Sequence, residues 1–139
     1  VAAHADWTIA AQLNGDFTQA KAYEETIAYL QSSPAPDVVY CENDNMCFGV
    51  MQALDELGIA YGDGSVTLIS FDAGRTALSY CKDGKIDLCA ECNPLHGPRV
   101  RALIKQLARG ETPEKLSYMP EALFTADTLT AELLESRVY

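Results

Sequence analysis

The sequence predicts an α/β domain: a parallel sheet covered by helices on both faces. Three observations carry this. Short runs such as VVYC, VTLISF and IDLCA are mostly apolar and do not alternate with charged residues, as strands buried on both faces are. The segments between them, led by DNMCFGVMQALDEL, repeat apolar residues at helical spacing. Turn residues separate each strand from each helix, and strands that alternate with helices argue for right-handed crossovers. Such crossovers bring the carboxyl ends of all the strands to one rim.

Each element can be justified in order. Residues 7–12 (WTIAAQ) alternate and read as a first strand, ended by Asn14 and Gly15. Asp16 stands where it would cap the next helix, with Gln19 as reciprocal partner. From 17 to 31, Phe17, Ala20, Tyr23, Ile27 and Leu30 recur at helical spacing. After the loop SSPAPD, residues 38–41 form a short strand, and 44–57 a helix stopped by Gly58. The turn-rich connector IAYGDGS leads to a strand at 66–71, a helix at 73–82 and a turn at Asp83-Gly84. Residues 86–90 are a further strand, broken by NPLHGP. A helix spans 98–109 with Gly110 behind it, 111–120 is irregular, 122–125 is a last strand, and Asp127 caps a final helix reaching 135.

The chain has 139 residues, 48% hydrophobic and 22% charged, which suits one compact domain without repeats or linkers. No apolar run approaches the ~18 to 20 residues that cross a bilayer. VAAHADWTIAA shows neither the basic head nor the cleavage pattern of a signal peptide, and that absence leaves location open. Ten basic against twenty acidic residues give a net charge of −10. That balance repels phosphate backbones and anionic membranes, so nucleic acid is not an expected partner, and it suits a soluble secreted protein.

Of the five cysteines, Cys89 and Cys92 form a C-x-x-C. A zinc ribbon would need a second such pair, and Cys89 falls in an apolar run, so no metal is expected. Cys41, Cys47 and Cys81 read as small buried fillers, with a Cys81–Cys89 disulfide left open.

The residues that follow each strand share a character. They are Asn14-Gly15-Asp16-Phe17, then Glu42-Asn43-Asp44, then Asp72, then Glu91-Cys92-Asn93-Pro94. Ligands of open α/β sheets bind outside these carboxyl ends. Carboxylates accept hydroxyl hydrogen bonds, amides donate and accept, and an aromatic face covers the C–H side of a sugar ring. Phe17, Asn43 and Asp72 therefore suit a neutral polyol. A phosphate would want a glycine-rich loop and less negative charge. Structural readings stand beside these: Asp44 sits where a helix cap belongs, Asn43 and Asp72 serve equally as turn or cap residues, and Phe17 and Trp7 could be core. His4 and His96 are isolated, so no catalytic triad is expected. A glycosidase pair of Asp72 and Glu91 would have nothing else to support it, and no enzyme activity is expected.

Beyond the residues themselves, ENDNMCFGVMQALDELG resembles the N-D-x-M-A-x-G-x-x-x-A-L segment of type I periplasmic sugar-binding proteins, the solute receptors of ABC transporters. GDFTQAK resembles the family's D-F-x-R-A-K helix start, and VTLISFDA its strand ending in a ligand aspartate. DGKI precedes the hinge strand. ECNPLHGP is similar to the E-C-N-P-L-L-G-P hinge of galactofuranose- and ribose-type members, and SRVY to their R-x-Y ending. The resemblance covers nearly the whole chain. It implies ring stacking on Phe17, hydroxyl hydrogen bonds to Asn43 and Asp72, and a hinge at 91–94 including Cys92 and Pro94. Where ribose-type members have a hinge amide, Cys92 cannot replace it, so Asn93 or Glu91 would serve.

Members have two lobes, about twice this length. The resemblance therefore implies that residues 1–139 are a C-terminal lobe with its own first strand and helix absent. That strand would lie between those at 7–12 and 38–41, and the helix at 98–109 would pack on the other lobe. The expected function is an extracytoplasmic receptor, periplasmic or a cell-surface lipoprotein. It would bind a monosaccharide (pentose or hexose, the furanose form included) for a membrane permease and need no cofactor. The alternative is the effector core of a LacI-type repressor. An incomplete sheet is also expected to self-associate or to pair with a complementary piece.

Overall fold

The computed structural model describes residues 3–62 and 64–139, so Val1 and Ala2 of the stretch read for a signal peptide, and Asp63 of the turn-rich connector, lie outside the described residues. The elements run α1 (Gln19–Leu30), β1 (Val38–Tyr40), α2 (Asp44–Leu57), β2 (Thr67–Asp72), α3 (Arg75–Lys82), β3 (Leu88–Glu91), α4 (Gly97–Ala108), β4 (Leu123–Phe124) and α5 (Ala131–Ser136). The strands form one sheet in the order β1-β2-β3-β4. The first three are parallel, with Tyr40 opposite Ile69 and Phe71 opposite Ala90. β4 joins β3 antiparallel, Phe124 facing Cys89, so the sheet is mixed rather than wholly parallel.

The register explains the core. Residues opposite each other point to one face, and Leu68, Ser70, Cys89 and Phe124 are all buried on the same one. Against it α2 lays Cys47, Val50, Met51 and Leu54, spaced at three and four residues, and α3 lays Ala77, Leu78 and Cys81. Leu129 closes the cluster, and Leu133 and Leu134 of α5 pack on its margin. α1 lies on the outside of α2. The two backbones meet at Gly49, where a Cβ would stand 2.3 Å from the Gln19 carbonyl oxygen. All five cysteines are free thiols, Cys92 alone being exposed. Contact with Cys41 and with Cys81, then burial, push the Cys47 and Cys89 thiols far up, which keeps them neutral fillers.

The sheet's second face is apolar but only partly covered. Val38 and Tyr40 are 52% and 60% exposed, and the Tyr40 and Phe71 rings pack on each other at 5.0 Å. Among the described residues β1 has no neighbour on its outer side. Residues 7–12, expected as a strand, carry no regular secondary structure, and Trp7 and Ile9 are exposed. An alternating sequence becomes a strand only where a ladder partner takes its backbone groups, and none of the described strands lies beside it.

Other boundaries shift for local reasons. β3 starts at Leu88 rather than 86 because the Asp87 carboxylate takes the Leu68 N–H at 2.8 Å, ahead of the ladder. The caps of α1 and α5 are Thr18 and Thr130, not Asp16 and Asp127. α4 matches its expected span closely but buries no residue, and Val100, Ile104 and Leu107 face outward.

Candidate functional site

The carboxyl ends of β1, β2 and β3 lie on one rim, and the chain enters α1 beside them. Among the described residues four outside glycine adopt left-handed backbone, and all four belong to the rim: Asp16 (φ 49°), Phe17 (φ 54°), Asp72 (φ 95°) and Ala73 (φ 57°). Each such residue costs on the order of 1–3 kcal/mol and persists only where its surroundings hold it.

The Asp16-Phe17 turn is held from inside and from across the rim. Asp16 N–H donates to Asn14 Oδ1 (3.1 Å), and Thr18 N–H donates to the Gly15 carbonyl (2.9 Å). Gly15 is buried, and a Cβ there would stand 2.6 Å from Met46 Sδ. Asn43 Nδ2 donates to the Phe17 carbonyl (3.2 Å), tying the turn to the end of β1. The Phe17 ring is consequently 66% exposed. It faces outward at the rim and is not a core residue.

Asn43, not Asp44, caps α2: its Oδ1 accepts the Met46 N–H at 2.8 Å. Its amide retains one lone pair and one N–H beyond these two bonds, so capping and ligand binding are compatible. Asp44 is the first residue of α2 and is buried. It accepts from Ser70 Oγ (2.5 Å) and from Gly74 N–H (2.7 Å), joining the starts of α2 and α3 to the middle of β2. Burial pushes its carboxyl above the ordinary range, with the nearby Asp72 adding to the rise and hydrogen bonding from Ser70, Gly74 and the Ala73 backbone opposing it. Asp72 is exposed and, among the described residues, its carboxylate makes no hydrogen bond. Phe17, Asn43 and Asp72 thus share one rim, Asn43 and Asp72 with polar atoms to spare.

The other candidates serve a different arrangement. Glu91, at the end of β3, accepts from Arg137 Nη1 (2.7 Å), from Tyr139 Oη and, at Oε2, from Ala122 N–H (3.0 Å). Burial pushes its carboxyl up, but the bonds from Tyr139 and Arg137 outweigh burial and hold it below the ordinary range. The Tyr139 hydroxyl is pushed up to about 12 by burial and by Glu91. Glu91 is thereby occupied in closing the C-terminus onto β3. Asn93 Oδ1 accepts the Leu95 N–H at 2.9 Å, and its own N–H donates to Glu121 Oε1 at 3.1 Å. Glu91 and Asn93 line a cleft of about 190 Å³ with Phe124, Leu133, Arg137 and Tyr139. Cys92 N–H donates to the Asp72 carbonyl (3.3 Å), linking that cleft to the rim, and Pro94 is exposed ahead of α4. Sequence reasoning gives Arg137 and Tyr139 no role, although the R-x-Y ending marks them. Ser70 carries a signal of its own, a hydroxyl at an inward position of an apolar strand.

Comparison with known proteins places the chain in a family. The family model described as periplasmic binding protein domain matches residues 1–111. The galactofuranose-binding protein YtfQ of Escherichia coli (strain K12) is 32% identical over 124 residues, which are 86% of this chain and 39% of that protein. A crystal structure from Mycobacterium smegmatis in complex with β-D-fucofuranose superposes with a TM-score of 0.80 at 33% identity, covering 86% of this chain and 39% of that one. The binding component of the arabinose ABC transporter from Shewanella sp. ANA-3, bound to α- and β-L-arabinofuranose, gives a TM-score of 0.81 at 26% identity, covering 94% and 47%. The chain therefore spans less than half the length of each of these three relatives.

Proposed function

The chain belongs to the periplasmic binding protein domain family, and from that premise we propose that it supplies one side of an extracytoplasmic sugar-binding site, whose cargo passes to the permease of an ABC transporter. The observation that carries this is the rim constellation. Two left-handed turns carry an exposed Phe17 ring and an Asp72 carboxylate unengaged among the described residues, and the Asn43 amide at the end of β1 has one donor and one acceptor to spare. The ring offers an apolar face to the C–H side of a sugar, and the amide and carboxylate take its hydroxyls. A second lobe closes over the sugar from the opposite side, with the crossover at 91–94 as hinge. The apolar outer face of α4 suits a contact with that lobe. Glu91 acts as the hinge's anchor to the C-terminus and Asn93 as a turn former. The relatives' furanose ligands make a five-membered ring the first choice of cargo.

The test is NMR titration of this chain with L-arabinose, D-galactose and D-fructose. Shifts are expected at the amides around Phe17, Asn43 and Asp72. Asp72→Ala should weaken binding by about ten- to a hundredfold, the range that hydrogen bonds to a charged group carry. Silence with all three sugars would remove the sugar reading and bring the effector core of a repressor to the front.

The open edge of β1 and the partly bare second face suit addition of another strand. We expect the isolated chain to self-associate, with sedimentation velocity showing a dimer or larger species. A concentration-independent monomer would contradict this.

A further inference from the structure

We propose that Arg137 is a positioning residue for Asp72, clamping the left-handed Asp72–Ala73 turn from which that carboxylate reaches the rim. The inference rests on the sugar-site reading of Asp72 and extends it to a residue at the far end of the chain.

Two consecutive left-handed residues that are not glycine do not hold that shape unaided. Three hydrogen-bonded contacts restrain it. Cys92 N–H donates to the Asp72 carbonyl (3.3 Å), and Gly74 N–H donates to Asp44 Oδ2 (2.7 Å). The third is forked: Arg137 Nε (3.0 Å) and Nη2 (2.7 Å) both donate to the Ala73 carbonyl. Only a planar guanidinium can present two donors to one oxygen while a third nitrogen serves another partner.

Arg137 is itself held. Its side chain is 11% exposed, its Nη1 donates to Glu91, and its guanidinium lies 4.1 Å from the centre of the Tyr139 ring. The Arg137 carbonyl accepts from Arg75 Nε (3.0 Å), and the Tyr139 carbonyl accepts the Arg75 N–H (2.8 Å) at the start of α3. Arg137 and Tyr139 therefore hold the segment between β2 and α3, one at Ala73 and both at Arg75. A staple for the C-terminus would need only the Glu91 ion pair. Two of the three guanidinium contacts go instead to the carbonyl next to Asp72.

The test compares Arg137→Lys with Tyr139→Phe. Lysine keeps the ion pair with Glu91, and with it a folded chain, but loses the fork on Ala73. Phenylalanine loses the hydroxyl bond to Glu91 and keeps the fork. The readouts are the backbone HN–Hα couplings of Asp72 and Ala73, which report φ, together with affinity for L-arabinose and global stability. Arg137→Lys should move both couplings off their left-handed values and weaken arabinose binding about tenfold, one charge-assisted bond's worth. Tyr139→Phe should lower stability with couplings and affinity unchanged. Unmoved couplings in Arg137→Lys, or affinity falling in both variants in step with stability, would overturn the proposal. A wild-type chain that binds none of the sugars defeats the sugar reading alone, because the couplings still decide whether Arg137 sets the turn.

Discussion

Asp44→Ala is expected to destabilise the chain by about 2–4 kcal/mol, whereas Asp44→Asn should cost less than about 1 kcal/mol at neutral pH. The carboxylate accepts two hydrogen bonds in a buried position, one from Ser70 Oγ and one from Gly74 N–H. Alanine leaves the Gly74 N–H without a partner and the Ser70 hydroxyl with only the weak Cys47 sulfur to turn to, and a buried donor left alone costs about 1–3 kcal/mol. Asparagine can still accept from Gly74 through Oδ1 and donate to Ser70 through Nδ2. The Ser70 hydroxyl is then free to turn toward the neighbouring Cys47 sulfur. Asparagine also removes a charge whose burial raises the folded-state carboxyl above its ordinary 3.8.

That raised value fixes the sign of the pH dependence. Between 3.8 and the folded value the native state binds more protons than the unfolded one, so Asp44 makes stability fall as pH rises through this window. Glu91 works oppositely: its folded value is lowered, so its contribution is present above 4.5 and is lost as pH falls through the folded value. Urea unfolding from pH 3.5 to 7 should therefore show Asp44→Asn gaining on the parent as pH rises. Equal losses for alanine and asparagine at pH 7 would show that the two hydrogen bonds carry little.

How much of this is legible in the sequence varies with the range of the interaction that decides each feature. α2 is legible to the residue because periodicity and a terminal glycine, Gly58 at φ 64°, are both local signals. The caps are not. Asp16 looks like a cap until the turn holding Phe17 is seen to be left-handed, which moves the helix start to Thr18. Asp44 looks like a cap because Asn43 and Asp44 are both good ones, and only the proximity of Ser70 and Gly74 assigns each its place. The direction of β4 cannot be read, since two paired residues carry no directional pattern. Residues 7–12 carry a strand's alternation, but pairing is a property of neighbours. For the site, the resemblance points to Phe17, Asn43 and Asp72, and the structure brings all three to one rim. Glu91 reads as a ligand group in the sequence because its partners, Arg137 and Tyr139, lie almost fifty residues away along the chain.

Gly49→Ala is expected to destabilise by about 2–3 kcal/mol although intrinsic helix preference points the other way. In an exposed helix interior alanine is favoured over glycine by roughly 1 kcal/mol. Here the added Cβ would stand 2.3 Å from the Gln19 carbonyl oxygen, 2.8 Å from Tyr23 N and 3.0 Å from Ala22 Cβ. Two of these atoms are backbone of α1, so no rotamer change relieves the overlap and the helix itself must move. α1 begins just after the turn that displays Phe17, and Asn43 Nδ2 ties that turn to the start of α2. Displacing α1 should therefore lengthen that bond and weaken sugar binding along with stability. Gly97→Ala is the control, because Gly97 opens α4 and a Cβ added there would meet nothing within 4 Å. It should leave stability unchanged or raise it slightly. Denaturant midpoints for the two variants separate the explanations: if Gly49→Ala is as stable as Gly97→Ala, then α1 and α2 are not in the close contact that places Phe17 beside Asn43.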